Sequence, residues 1–410
     1  MKRLNVLMGD HLVGQLLAQG GTHYFSFSED FLAAPLPLSP YQLPAVAGTS
    51  EHRNGHFLTL PGLIYDSLPD RFGMSVLRKN FQDRGILNPT PLQMLSYLGN
   101  RTMGALSYSP SEDEPGAQEM IDLVNAARSA KSLMQMEHAD VLDPAIVKAG
   151  GTAGGATPKL LAAISTDRSR IITGPSMIPA EMEAWLIKLN TSDTKTSSIC
   201  QLEQTYFELA KAAGIRVPET MLISDKKGVQ HFAIRRFDRK QEDPNQRVHI
   251  HSYAAMAGID FSEPGTDYED LLRLTKNLTR NFEDLCEQFR RMLFNLLASN
   301  RDDHAKNFSF TMDSAGKWTN TLAYDLLYTD NDLGGNWMLI GGKRNDIRYD
   351  DLKRLADLMG IPQRRLNEML EQAQDALAQW SALAKANGIG TGLRKVVQSV
   401  IEDLSRTLGK

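Results

Sequence analysis

The apolar run Phe289-Arg290-Arg291-Met292-Leu293-Phe294-Asn295-Leu296-Leu297 stops against a dense polar cluster, Arg301-Asp302-Asp303-His304-Ala305-Lys306-Asn307. The run has helical character, so the cluster is predicted to sit on a loop held by a rigid element. Phosphoryl transfer needs three groups close together: a carboxylate to orient and deprotonate a hydroxyl, an oxygen ligand for Mg²⁺, and positive charge for phosphates. Asp302, Asn307 and Lys306 are of these types. Taken alone, the stretch also reads as a charged surface loop. Its meaning depends on what surrounds it.

Downstream lies Leu322-Ala323-Tyr324-Asp325-Leu326-Leu327. A carboxylate inside an apolar run is costly unless paired or metal-bound. A hairpin (Phe308 to Met312, turn at Asp313 to Lys317) is predicted between Asn307 and Asp325. In protein kinases a metal-binding Asp follows the catalytic loop in this way. Upstream, Gly150 to Lys159 is glycine-rich, and glycines let backbone N–H groups approach phosphates. Lys188 lies in the strand-like Trp185 to Leu189, and Glu203, on the following helix, is its candidate partner. Ile234 to Arg239 is a strand end suited to a hinge that binds adenine through its backbone. Singly these signals are modest. Their order, glycine loop, strand lysine, helix glutamate, hinge, Asp and Asn, then Asp, is that of a protein-kinase core.

The 410 residues exceed one ordinary domain, and 42% hydrophobic content supplies a substantial core. A net charge of −4 gives no global basic excess for non-specific nucleic-acid binding. The two cysteines, Cys200 and Cys286, form no disulfide framework or metal motif. Polar residues interrupt the N-terminal apolar stretch, and no apolar window spans a bilayer, so a soluble cytoplasmic chain with no membrane partner is expected. Strand patterns with one helix precede mostly helical ones. The expected fold is α+β and two-lobed, protein-kinase-like, with a small α/β N-terminal subdomain and an all-helical C-lobe. The expected boundaries are 1–110 for the subdomain, 111–240 for the N-lobe and 241–410 for the C-lobe. Residues 68–106 read as helical, and Ser109 to Gly116 as a linker.

At these residues the chain resembles the HipA family of bacterial kinases. The matching pieces are TAGGATPK (Thr152 to Lys159), LIKL (Leu186 to Leu189), QLEQTYFELAKAAGIRVPE (Gln201 to Glu219), RRFDR (Arg235 to Arg239), DDHAKNFSF (Asp302 to Phe310) and AYDL (Ala323 to Leu326). VGQL (Val13 to Leu16) and YFSFSEDFL (Tyr24 to Leu32) match the family's first subdomain more loosely.

The resemblance implies a HipA-type fold and a serine/threonine kinase using ATP and Mg²⁺. It makes Asp302 the catalytic base, and Asn307 and Asp325 the metal ligands. ATP would be bound by Thr152, Ala153, Gly154, Gly155, Ala156, Lys159, Lys188, Arg235, Phe237, Asp238, His304 and Lys306, with Phe237 and Asp238 at the adenine and ribose. Glu203 would be a structural ion-pair partner. Thr152 stands where the family autophosphorylates a serine, and Arg235 where it often has Glu. The family also implies a growth-arresting toxin acting on a protein substrate, with an aminoacyl-tRNA synthetase as one target. Its partner would be a helix-turn-helix antitoxin of HipB type, with DNA reached only through that antitoxin. Two alternatives stand beside this: a catalytically silent co-repressor, and a small-molecule kinase.

Overall fold

Alternating buried side chains build the first of three antiparallel sheets in the computed structural model, which describes residues 2–112, 120–135, 146–147, 157–173, 177–192, 199–331 and 333–408. Its strands are β1 (Arg3–Met8), β2 (His11–Gln19), β3 (Thr22–Phe27), β4 (Thr49–His52) and β5 (Leu106–Ser109), in the order β4-β3-β2-β1-β5. Leu4, Val6, Leu16 and Phe25 go into the core from one face, as the two-residue strand period requires, and Val13 is buried at the register shift between β1 and β2. Gly9 and Asp10 make the β1–β2 turn, with Gly9 at φ +59°. Tight hairpins need positive φ at such a position. The helices α1 (Glu29–Ala33), α2 (Gly62–Tyr65), α3 (Arg71–Asp83) and α4 (Pro91–Leu98) complete this unit. α4 starts with a Thr90/Gln93 capping box and a proline in its first turn, both strong helix-start signals. The helical reading of 68–106 misses the start of β5. That four-residue strand exists through its pairing with β1, Val6 opposite Tyr108, and has little local signal.

The second sheet joins β6 (Lys159–Ser165), β7 (Ile171–Thr173), β8 (Met182–Lys188), β9 (Thr220–Ser224) and β10 (Gln230–Arg235), in the order β7-β6-β8-β10-β9. Every residue of β6 is buried, in keeping with the apolar run Leu160 to Ile164 between Lys159 and Ser165. α5 (Leu123–Met134) packs Ala126 and Ala130 into a core with Leu160, Ile164, Trp185 and Ile187. Phe72 and Val76 of α3 belong to the same core, so the N-terminal unit is continuous with this lobe. α6 (Ile199–Ala212) packs against β9 and β10.

The rest is mainly helical: α7 (Tyr253–Ala257), α8 (Tyr268–Thr279), α9 (Phe282–Leu297), α10 (Tyr349–Met359), α11 (Gln363–Leu377), α12 (Trp380–Ala386) and α13 (Thr391–Leu408). α9 is the central member. Leu285, Phe289, Met292, Leu293, Phe294 and Leu297 are buried, each stabilising by about 1.5–3 kcal/mol relative to exposure. Asn281 caps its N-terminus through the Glu283 amide. The lobe is mainly helical, not all-helical as expected, because it carries a three-stranded sheet. The predicted hairpin, β12 (Ser309–Met312) with β13 (Trp318–Asn320), acquires β11 (His249–Ser252) as a third strand. The protein is therefore an α+β, two-lobed fold with its hinge at Arg235–Asp238. Among the described residues no helix is long and apolar enough to cross a membrane.

Candidate active site

A cavity between the lobes is lined from three directions. The sheet lobe supplies Lys159, Leu186, Lys188 and Ile234, and α6 supplies Glu203. The helical lobe supplies His304, Lys306, Asn307, Ser309, Tyr324 and Asp325. The N-terminal unit contributes Leu63, Asp66, Asp70, Met103 and Leu106.

Lys188 ends β8 and is 8% exposed. Its ammonium lies between the carboxylates of Glu203 and Asp325 and donates to both. Burial opposes its charge, but Asp325 and Glu203 outweigh that and hold its pKa above the ordinary lysine value. Burial likewise opposes ionisation of Asp325, and Lys188 and Lys159 outweigh it, holding this carboxyl well below the usual carboxylate range. For Glu203 burial wins against Lys188, and its pKa is raised. Asp325 has φ +53°, a conformation costing a non-glycine residue about 1–3 kcal/mol. The Asn300 side chain holds its carbonyl at 3.3 Å.

The polar loop after α9 divides two adjacent aspartates. Asp302 is exposed, and the Asn307 Nδ2 donates to its backbone carbonyl at 2.8 Å. Partial desolvation, with the charge of Asp325, pushes the Asp302 carboxyl up against the pull of His304, Arg71 and Lys188. Asp303 is 1% exposed and accepts from Tyr268 Oη (2.7 Å), Trp337 N (2.8 Å) and Met338 N (3.3 Å). Burial pushes its carboxyl up to about 6, against those hydrogen bonds. Asp303 thus ties the loop to the 337–338 segment. Burial lowers the His304 pKa against the charge of Asp302, and its Nδ1 is buried with no hydrogen-bond partner among the described residues.

At the hinge, the Phe237 and Tyr324 rings stack at 5.8 Å between centroids, 28° apart in plane. Tyr324 also donates to the Lys306 carbonyl at 2.8 Å. The Arg235 guanidinium pairs with Glu183 at 2.9 Å and Glu219 at 3.4 Å. Asp238 departs from its expected place at the ribose. It is fully buried, accepts from Arg236, Arg239 and the Gly104 amide, and does not line the cavity. Its carboxylate is already committed to joining the hinge to the N-terminal unit.

The structure brings Lys159, Lys188, Glu203, Arg235, Phe237, His304, Lys306, Asn307 and Asp325 to one cavity, with Asp302 joined through Asn307. Thr152, Ala153, Gly154, Gly155 and Ala156 lie outside the described residues. Sequence reasoning overlooked Tyr324, whose signal was its place beside Asp325 in an apolar run. It also overlooked Asp66 and Asp70, for which no local signal existed.

The family model of the HipA-like C-terminal domain matches residues 151–380, and that of the HipA N-terminal domain matches 4–109. Two curated relatives come from Sinorhizobium fredii (strain NBRC 101917 / NGR234). "Putative kinase Y4dM" is 27% identical over 66% of this chain and 63% of its own length, so the match spans less than two thirds of that relative. "Putative kinase Y4mE" is 24% identical over 80% of this chain and 74% of its own length. A chain from the Shewanella oneidensis MR-1 toxin–antitoxin complex of HipA, HipB and operator DNA has the same fold, with TM-score 0.71 at 20% identity over 98% of this chain and 96% of that one. With both family models matched and the first covering more than half of its length, this chain belongs to the HipA family.

Proposed function

We propose that the protein is a serine/threonine protein kinase that transfers the γ-phosphoryl group of ATP to a protein hydroxyl. The observation that carries this reading is the Lys188 ammonium, held between Glu203 and Asp325 in the cavity that also takes Asn307 and Lys306. Buried lysine between two acids is expensive to build for stability alone. It suits a site that must place positive charge against phosphates.

Asp302 orients the attacking hydroxyl and accepts its proton as the oxygen bonds to the γ-phosphorus and ADP leaves. Its raised pKa moves it toward the range useful to a base. Lys188 holds phosphates, with Lys159, His304 and Lys306 beside them. The hinge backbone at Arg235–Phe237 takes adenine, and the Phe237–Tyr324 pair supplies a flat apolar surface. Asn307 donates through its nitrogen, which leaves its Oδ1 as an acceptor, and Asp325 is an ionised carboxylate. Such oxygen donors fit Mg²⁺, which takes one or two protein ligands and completes its shell with phosphates and water. Bound there, the ion would neutralise charge on the β- and γ-phosphates.

The family and the HipB-containing neighbour support a toxin role with a HipB-like antitoxin partner, DNA being reached through that partner. Thr152 is the candidate autophosphorylation residue. Labelled ATP and Mg²⁺ added to a cell lysate, with mass spectrometry of the labelled proteins, tests the reading and identifies the substrate. Failure of the purified protein to bind ATP in the presence of Mg²⁺ would overturn it.

A further inference from the structure

Lys306 is held by a residue from the opposite end of the chain. Its ammonium pairs with the Asp70 carboxylate, 236 positions away in sequence. It also lies 5.2 Å from the Tyr65 ring centroid and 4.9 Å from that of Phe261. Burial opposes the lysine charge, but Asp70 and Asp66 outweigh it and raise the Lys306 pKa. The ammonium therefore stays charged inside the cavity.

Asp70 occupies the N-cap position of α3, where an aspartate normally accepts from the first-turn amides. Here its side chain makes no such capping bond. It is turned instead to the loop that carries Asp302 and Asn307. The segment bearing it is fastened separately. Asp66 accepts from His251 Nδ1, Ser252 N and Ser252 Oγ, each at 2.7 Å. At Gly62 a Cβ would stand 2.5 Å from the Ala255 carbonyl oxygen, so glycine is needed for this close approach. A rigid segment thus presents one carboxylate to one catalytic-loop lysine.

We propose that Asp70 is a positioning residue for phosphoryl transfer: it fixes the Lys306 ammonium in the cleft, so that the N-terminal unit completes the active site. This rests on the kinase reading above. A lysine is a compact charge on a flexible stem, and a misplaced group in a reacting site can cost about 100-fold in rate.

The test is a kinetic cycle on the full-length protein with Asp70→Asn, Asp70→Glu, Lys306→Met and the double variant Asp70→Asn/Lys306→Met. MgATP-dependent phosphate incorporation gives kcat and the KM for ATP, and urea unfolding reports stability. Asp70→Asn is expected to lower kcat by about 10–100-fold with KM for ATP changed less than threefold, the pattern of an interaction lost in the transition state. Asp70→Glu should recover part of that loss. The double variant should be no slower than Lys306→Met alone, because Asp70 acts through Lys306. Wild-type kcat in Asp70→Asn, or losses that multiply in the double variant, would overturn the proposal while leaving the kinase reading intact. A wild-type protein that incorporates no phosphate into any protein would remove that reading, and the proposal with it.

Discussion

Lys188 at the end of β8 and Asp325 in the helical lobe form an ion pair although 137 positions separate them. With Glu203 on the other side, this contact joins both lobes through one ammonium. It explains why a buried lysine and a left-handed aspartate occur together.

Lys188→Met leaves two carboxylates without their shared cation. Phosphate incorporation is expected to vanish. Stability should fall by about 3 kcal/mol, because breaking a buried pair strands its partners. Urea denaturation measures the second effect. An unchanged midpoint would mean that the triad contributes little to the fold.

Asp303 predicts a pH dependence with a definite sign. Its folded pKa of about 6 lies above the ordinary 3.8. The native state therefore holds the proton more tightly, and stability contributed by this group is lost as pH rises from about 4 to 6. The full effect is ~3 kcal/mol. Unfolding of wild type and Asp303→Asn at pH 4.5 and pH 7 checks it. Wild type should lose more stability across that interval than the variant, and parallel profiles would contradict the assignment.

Gly62→Ala should destabilise the protein by about 1–3 kcal/mol, as overpacking does. In an open helix the same change would stabilise by roughly 0.5–1 kcal/mol, so the sign alone is diagnostic. Thermal unfolding measures it, and a stabilised variant would show that the Ala255 backbone yields easily.

Arg235→Ala should leave the KM for ATP within about twofold. The guanidinium is spent on Glu183 and Glu219, which leaves the backbone of this strand end to meet adenine. A tenfold rise in KM would mean that the side chain, and not the hinge backbone, meets the nucleotide.

Much of the fold was legible where local pattern and final burial agree. The Gly9–Asp10 hairpin, the apolar β6, the Pro91 helix and the run into α9 each carry their own signal. Nothing local causes the burial of Asp303 beside an exposed Asp302: Asp303 is buried because Trp337, Met338 and Tyr268 converge on it. What stayed hidden depends on distant pairing. β5 and β11 are strands because of their partners, Asp238 is consumed by Arg236, Arg239 and Gly104, and Asp70 meets Lys306 only after the whole chain has folded.

The most direct test of the central claim is transfer of labelled phosphate from ATP, with Mg²⁺, by wild type and Asp302→Asn under identical conditions. Circular dichroism and ATP binding confirm that the variant is folded and loaded. Because Asp302 is exposed and bonds through its backbone carbonyl, the variant should fold and bind ATP as wild type does. It should transfer less than about 1% as much phosphate, in line with the 10²–10⁴-fold typical of a general base. Equal incorporation by the two proteins would contradict the account.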